Sequence, residues 1–382
     1  WGQGGFGQLG NGDLADQISP QDVDFSFGKY PIKVSSSNTH SCAVMNDASA
    51  YCWGIGGQGR LGDGSSDYNN IPGFVSFNAN FMSSNIVQDI DTGYDHTCAI
   101  LIFGNVSCWG NGGDGALGFG SQSQIQYIPN PTINLGTNRT ATLVSSGAKF
   151  SCALLDDGSI SCWGLNNHGQ LGNGNQNHLG YPTLVSPFEN NVTAVDISSG
   201  HYHTCAILNN GSVSCWGYNQ YGQLGIGSVG GSFNTPMHIS NFGNNNAVRV
   251  FTSYYGTCVL LDNNEVMCWG TDWDGHLMSS NPVNLEFNSS MTVKDLFINS
   301  NTNCAIFENG HSTCWGRGAS GQFGDGTNTD TRENLSFDFS DRILIGEVKD
   351  TAVERLNTSF RIEGDLFDGF NASNTTFTID MP

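Results

Sequence analysis

Cys152-Ala153-Leu154-Leu155-Asp156-Asp157-Gly158-Ser159-Ile160-Ser161-Cys162-Trp163-Gly164-Leu165-Asn166-Asn167-His168-Gly169-Gln170-Leu171-Gly172-Asn173-Gly174 decides the fold, because the chain repeats it. Near copies begin at Cys42, Cys98, Cys205, Cys258 and Cys304, and Trp1 to Gly12 reads as the back half of a seventh. Trp-Gly recurs at Trp1, Trp53, Trp109, Trp163, Trp216, Trp269 and Trp315, in steps of 52, 56, 54, 53, 53 and 46 residues. A fixed period of this size marks a repeat architecture in which each copy is one supersecondary unit that buries its apolar side against its neighbours. A chain of 382 residues could hold two or three ordinary domains, but this period points instead to one closed array.

Within one copy the pattern is that of a hairpin. Alternation puts Cys152, Leu154, Ile160 and Cys162 on one face, with Asp156-Asp157-Gly158 as a three-residue loop. Such a loop favours a left-handed third residue, where glycine costs least. Gly104, Gly158, Gly211 and Gly310 stand at that place in four copies, Asn264 in a fifth, and Ala48 in the first, where a different loop is expected. All twelve cysteines lie in the motif, as pairs ten residues apart: Cys42 and Cys52, Cys98 and Cys108, Cys152 and Cys162, Cys205 and Cys215, Cys258 and Cys268, Cys304 and Cys314. Opposed positions on antiparallel strands lie roughly 4.5–5.5 Å apart at Cα, within disulfide reach, so six bridges, each inside one hairpin, are expected. Nine intervening residues do not suit zinc, whose paired ligands favour two to four. The tryptophans and Leu171 are expected to be core.

Composition narrows the function classes. The net charge of −21 argues against nucleic acid or an anionic membrane as partner. No apolar run reaches the roughly 18 residues of a membrane span. The cysteine pattern implies an oxidising compartment, extracellular or at the cell surface. Nine sequons agree with export and are candidate glycosylation sites: Asn105, Asn138, Asn191, Asn210, Asn288, Asn334, Asn357, Asn371 and Asn374. Asn105 and Asn210 fall at hairpin tips. The chain begins in mid-motif, as a piece of a longer precursor would. No nucleophile–histidine–acid set, phosphate loop or paired carboxylate motif is present, so neither an enzymatic activity nor a cofactor is expected. His40, His96 and His203, each two residues before a cysteine, are expected to be structural; Asp272-Trp273-Asp274-Gly275 lacks the later ligands of a calcium loop.

The phrase Trp-Gly-x-Asn-x-x-Gly-Gln-Leu-Gly-x-Gly, preceded by His-Thr-Cys-Ala-x-Leu, resembles the repeat of the regulator of chromosome condensation family. The resemblance covers about residues 1–327. It implies an all-β, seven-bladed propeller, with a disulfide in most blades and a β-rich C-terminal segment over 328–382 that closes the ring or forms an appended strand module. The Cys-Trp-Gly form is similar to that of secreted members. The family spans an exchange factor for a small GTPase, a photoreceptor and a secreted enzyme inhibitor, so it implies fold more firmly than activity. Photoreceptor members carry tryptophans just before His-Thr; here those places hold Tyr94-Asp95, Ala148-Lys149, His201-Tyr202 and Tyr254-Tyr255.

Comparison of the copies with one another locates candidate contacts. The places that vary and carry aromatics lie just before the first cysteine and just after Trp-Gly: Tyr94, His201, Tyr202, Tyr254 and Tyr255 in the first set, Tyr218, Tyr221 and Trp273 in the second. The expected function is that of a secreted, non-catalytic binding or scaffold propeller presenting these loops to a protein, a glycan or copies of itself in a surface assembly. A soluble enzyme inhibitor of the same fold is the alternative, and a carbohydrate-active propeller enzyme a weaker one.

Overall fold

A computed structural model describes the chain except residues 26–27, 78–85, 130–131, 189–191, 240–241, 272–277, 288–290, 300–301, 329–330, 338–360, 363–376 and 379–382; for 278, 331–337, 361–362 and 377–378 it describes the backbone. The repeat folds as an all-β propeller. Six four-stranded antiparallel sheets follow one another, over residues 31–74, 87–126, 141–184, 194–239, 247–285 and 293–337. The strands of each sheet lie in chain order; the first comprises Pro31–Ser36, His40–Met45, Ala50–Gly54 and Asn69–Phe74. The first strands of successive blades pack on one another and so line the axis. They are also laced together: Asp89 accepts Lys33, Ser35 donates to Asp91 (2.8 Å), Asp196 accepts the Val250 amide (3.0 Å), and Arg249 meets Asp295 (3.2 Å).

All six cysteine pairs stand directly opposite one another in register. Bridges join Cys42 to Cys52, Cys98 to Cys108, Cys152 to Cys162, Cys205 to Cys215, Cys258 to Cys268 and Cys304 to Cys314. Each lies within one hairpin, as the spacing predicts. The Cα separation is 4.1 Å in every pair, a little closer than the 4.5–5.5 Å expected of opposed positions, because the bridge draws the two strands together. Cys52, Cys108, Cys162, Cys215, Cys268 and Cys314 thus fix the third strand of each blade to the second, and the tryptophan that follows each of them is held in the same register.

The hairpin loops follow the expected chemistry with two exceptions: in the second hairpin Phe103 (φ 67°) is left-handed beside Gly104, and the first hairpin does not take a different loop. Ala48 adopts the same left-handed backbone (φ 61°) as Gly158 (φ 74°) and Asn264 (φ 65°), and closes with the same bond, its amide to Met45 O at 2.8 Å. The cross-strand pairing on either side imposes the loop, and the alanine accepts the strain of about 1–2 kcal/mol.

What joins one blade to the next is a polar relay set in an apolar seam. Trp269 Nε1 donates to Gln223 O (2.9 Å), the carbonyl of the preceding blade's Gly-Gln-Leu-Gly turn. Thr257 Oγ1 donates to the same carbonyl (2.9 Å), and His203 of the preceding blade donates from Nε2 to Thr257 (2.9 Å). His96 with Ser151 (2.8 Å) and His40 with Thr97 (2.9 Å) repeat the arrangement. The recurring histidines are thus buried, neutral ties between blades. Around them the seam is hydrophobic: Val44, Leu61 and Val75 of the first blade pack on Val87, Ile90 and Trp109 of the second. A tryptophan buried on this scale contributes up to about 4–6 kcal/mol.

The blade count corrects an expectation. Among the described residues six four-stranded sheets are formed, where the family resemblance implied seven. Residues 1–18 stand between the sixth blade and the first with the turn contacts of a seventh unit: Trp1 Nε1 donates to Gln322 O (3.0 Å) and Trp53 Nε1 to Gln8 O (2.9 Å). This segment carries the back half of the motif and makes one bridge, Gly2 to Gln17, so it builds no sheet. The effect shows on its neighbour. Val34 is 45% exposed, whereas Ile90, Val144, Ile197, Val250 and Leu296 at the same place in the other blades are 5% or less. The sixth blade takes its outer strand from Thr331–Phe337, past the boundary at 327. In the tail, Arg361–Ile362 pairs with Phe377–Thr378; whether the tail closes the ring lies outside the described residues.

Candidate functional site

Antiparallel strands in chain order divide the loops between two faces. The turns joining first to second and third to fourth strands emerge on one side. The Cys-Cys hairpins and the blade-to-blade connections emerge on the other. The described variable aromatic residues all lie in the first set of turns, and the structure brings them together from the second, fourth and fifth blades. His201 stacks on Tyr254 (centroids 3.7 Å, 18°) and meets Tyr202 edge-on at 4.2 Å. Tyr254 meets Tyr255 (4.4 Å), Tyr255 meets Tyr221 (4.3 Å), Tyr221 meets Tyr218 (6.2 Å), and Tyr218 meets Tyr202 (6.1 Å), which closes a circuit of six rings. Tyr94 of the second blade joins through His201 of the fourth at 6.2 Å, reaching past the third blade near the axis. Contacts of this geometry contribute about 0.5–1.5 kcal/mol each beyond the area they bury. Of the residues singled out in the sequence, seven meet here; Trp273 lies outside the described residues.

Two members escape a reading of the sequence alone. His168 lies 4.4 Å from Tyr218 and 5.3 Å from Tyr202, and its Nδ1 is 3.2 Å from Ser232 Oγ. It sits in a segment that varies between copies, and its proximity to aromatics of the next blade is what marks it. Arg60 stands where other copies carry glutamine. It is buried, bonds Thr39 Oγ1 (2.9 Å) and the Tyr94 carbonyl (3.3 Å), and pairs with Asp95 (2.9 Å), which fixes the loop that presents Tyr94. The arginine in place of glutamine in one copy is the available signal.

The turns that carry these rings are rigid for an identifiable reason. Asn166 is fully buried; its Oδ1 accepts the Leu171 amide (2.9 Å), and its Nδ2 donates to the carbonyls of Asn175 (3.0 Å) and Asn177 (3.1 Å). Asn219 does the same with Leu224 (3.1 Å) and Ser228 (3.0 Å). The asparagine of the motif thus replaces backbone pairing inside an otherwise irregular loop.

Electrostatically the patch is quiet. Burial holds His201 down to about 4, with the Lys149 charge adding to the effect, and burial lowers His168. Burial and neighbouring phenols raise Tyr218, Tyr254 and Tyr255. At neutral pH these rings are uncharged. Tyr94 and Tyr221 are the open members, 42% and 43% exposed; the others are half-buried. Lys149, paired with Asp114 at 3.7 Å, is the exposed amine beside them. Among the described residues no group of three or more histidine, cysteine or carboxylate side chains is placed to hold a metal.

The fold is a disulfide-stapled propeller with one aromatic loop face. The family model for the RCC1-like domain matches residues 1–346, and the chain belongs to that family. Similar proteins include the ultraviolet-B receptor UVR8 of Arabidopsis thaliana, 27% identical over 288 residues (75% of this chain, 63% of the receptor). RUG3, a mitochondrial RCC1 domain-containing protein of the same plant, is 27% identical over 75% of this chain and 66% of its own length. The E3 ubiquitin-protein ligase HERC2 of Homo sapiens is 31% identical over 57% of this chain and 4% of the ligase. The chain thus spans under two thirds of the length of these relatives. Among solved structures, Prp20p of Saccharomyces cerevisiae, a protein studied for its binding to Gsp1p and histones, superposes with a TM-score of 0.75 at 20% identity, over 90% of this chain and 87% of Prp20p. Human WBSCR16 gives 0.74 at 18% identity over 86% of each. These likenesses confirm the fold.

Proposed function

We propose that this protein is an exported, non-catalytic binding propeller that docks a protein partner on its aromatic face. The observation that carries the reading is the closed circuit His201–Tyr254–Tyr255–Tyr221–Tyr218–Tyr202, extended by Tyr94 and His168. Tyrosine presents a large amphipathic surface with few rotatable bonds, so ordering it on binding costs little, and it is enriched where interfaces concentrate their energy. Here the rings are already held by one another. Protein binding by Prp20p supports a role of the same kind. The disulfides support an oxidising compartment. The breadth of the patch, across four blades, favours a protein surface over a single sugar ring.

Two lysines on opposite faces, exposed Lys149 and half-buried Lys29, provide the test. Lys149 is on the aromatic face, while Lys29, paired with Asp47 at 2.8 Å, precedes the first inner strand and belongs to the opposite side. Amine-specific cross-linking of the native material should yield intermolecular links through Lys149 in excess of those through Lys29. The paired substitutions Tyr94→Ala and Tyr221→Ala should abolish the Lys149 links while leaving the circular dichroism spectrum unchanged. Lys29 links that match or exceed the Lys149 links in the native material, or Lys149 links that survive in the double variant, would place the interface elsewhere. A partner that proves to be a second copy of this chain supports the assembly role; a single soluble enzyme supports the inhibitor role.

A further inference from the structure

We infer that the molecule is two-sided: N-linked glycans cover the face of the Cys-Cys hairpins and blade-to-blade connections, and the aromatic face stays bare. The inference rests on the proposed export, and it follows from where the sequons fall on the fold. Asn105 and Asn210 are at the tips of the second and fourth hairpins, and Asn138 is in the connection from the second blade to the third; all three are exposed. Asn191 and Asn288 lie outside the described residues, in sequence between the outer strand of one blade and the inner strand of the next. Asn334 is on the outer strand of the sixth blade, and Asn357, Asn371 and Asn374 lie outside the described residues. The aromatic face is rich in asparagine too. Asn38, Asn111, Asn167, Asn175, Asn177 and Asn219 lie on its turns, and none has the Ser or Thr two positions on that a sequon needs. Asparagine is thus used on both faces, while the acceptor motif is absent from the aromatic turns.

Local geometry suits the modification. Asn210 uses its Oδ1 for the Ser212 amide (3.1 Å) and hydroxyl (2.7 Å), and its Nδ2, the atom that takes the sugar, makes no bond among the described residues. Asn105 Nδ2 donates one hydrogen to Ile102 O (3.3 Å), and a glycosylated amide nitrogen keeps one hydrogen for that bond. A bulky, hydrated glycan at these places excludes protein from that side and leaves approach through Tyr94 and Tyr221. The consequence is orientation: a partner, or the surface to which the protein is attached, meets the aromatic side.

The experiment is expression of the chain behind a heterologous secretory leader in human cells, which supplies export whatever the native route. Glycopeptide mass spectrometry should find Asn105, Asn138 and Asn210 occupied in most molecules. Nitration of Tyr94 and Tyr221 by tetranitromethane should change less than twofold when the glycans are removed enzymatically from the folded protein. Lys149→Asn, which creates an Asn-Phe-Ser acceptor on the aromatic face, is the calibrating variant: its glycan should cut Tyr94 nitration several-fold, and removal should restore it. A secreted, folded product with these three sites bare overturns the inference, as does unmasking of Tyr94 and Tyr221 in the wild-type chain on deglycosylation. Neither result touches the cross-linking test, so the two readings can fail separately.

Discussion

Replacement of Gly172 by alanine tests the seam between blades, on which the placement of the aromatic turns depends. Gly172 has φ +66°, and an added Cβ would lie 2.7 Å from Trp216 Nε1 and 2.9 Å from its Cδ1. The left-handed backbone costs an alanine about 1–2 kcal/mol. The overlap must then be relieved by moving an indole that is fully buried and bonded to Gln170 O at 2.9 Å, for about 1–3 kcal/mol more. The expected loss is therefore about 2–5 kcal/mol. Gly174→Ala, in the same turn, separates the two contributions: its φ is +85°, but the nearest atom to the new Cβ is Ser186 Oγ at 3.8 Å, so the backbone cost of about 1–2 kcal/mol stands alone. Guanidinium unfolding at pH 7 with the disulfides intact, followed by tryptophan fluorescence, reads both. If Gly172→Ala is no less stable than Gly174→Ala, the tight glycine–tryptophan contact does not hold the blades together and the reasoning fails.

Three further outcomes are expected. Ala48→Gly relieves the left-handed strain while giving the unfolded chain more freedom, for a net gain of about 0.5–1 kcal/mol in the same assay; a loss would show that the alanine methyl packs usefully. Acidification should destabilise through the relay. Burial, then the His201 charge, holds His203 down to about 3, so from pH 6.5 downward the unfolded chain takes a proton that the folded chain refuses. By about pH 4.5 this removes about 2–3 kcal/mol, and His203→Gln, which keeps a donor toward Thr257, should flatten the pH dependence by that amount. Asp91 works against this trend: burial raises it to about 6, so its share of stability is present below its unfolded value and lost as pH climbs to 6; an unaltered pH slope in His203→Gln would reject the relay assignment. Finally, Arg60→Gln restores the residue found in other copies, and should speed amide hydrogen exchange at Tyr94 and Asp95 by about tenfold or more while Trp109 stays protected; equal protection would remove Arg60 from the role of holding that loop.

The sequence shows the blade because blade residues repeat. Cys152, Trp163, Gly172 and their counterparts recur at a fixed period, so strand alternation, hairpin register and all six disulfides, from Cys42 with Cys52 to Cys304 with Cys314, are legible in the chain alone. Ala48 defies its own loop preference because strand pairing on both sides overrides it, and a residue type by itself does not carry that information. Family likeness implies a seventh blade, but residues 1–18 hold only the back half of a motif and make a single bridge, Gly2 to Gln17. The patch is legible as a set of varying aromatics and not as a circuit. Tyr94 and His201 are 107 positions apart, and their meeting depends on ring curvature, which no local pattern encodes. Arg60 and His168 act across a blade boundary and are hidden for the same reason.

The division of labour within a few residues explains how such a face can arise on a constant frame. In the fourth blade, His203 and Thr204 point into the relay and are fully buried, while His201 and Tyr202, immediately before them, are half-buried in the patch. The same offset holds for Tyr94-Asp95 before His96-Thr97 and for Tyr254-Tyr255 before Gly256-Thr257. The proposed contact residues therefore sit one step from the ties that fix the loop, close enough to be held by them and far enough to vary without breaking the seam. The first, third and sixth blades carry Asn38-Thr39, Ala148-Lys149 and Ser300-Asn301 at these places, without an aromatic ring, and of the three only the third adds a ring from its other turn, His168. The patch consequently covers the sector of blades two to five. On the proposed function, a partner seated there would be held off-axis, with its rotation about the propeller axis set by which blades bear rings. That asymmetry distinguishes a docking surface from a repeat that carries the same residue in every blade.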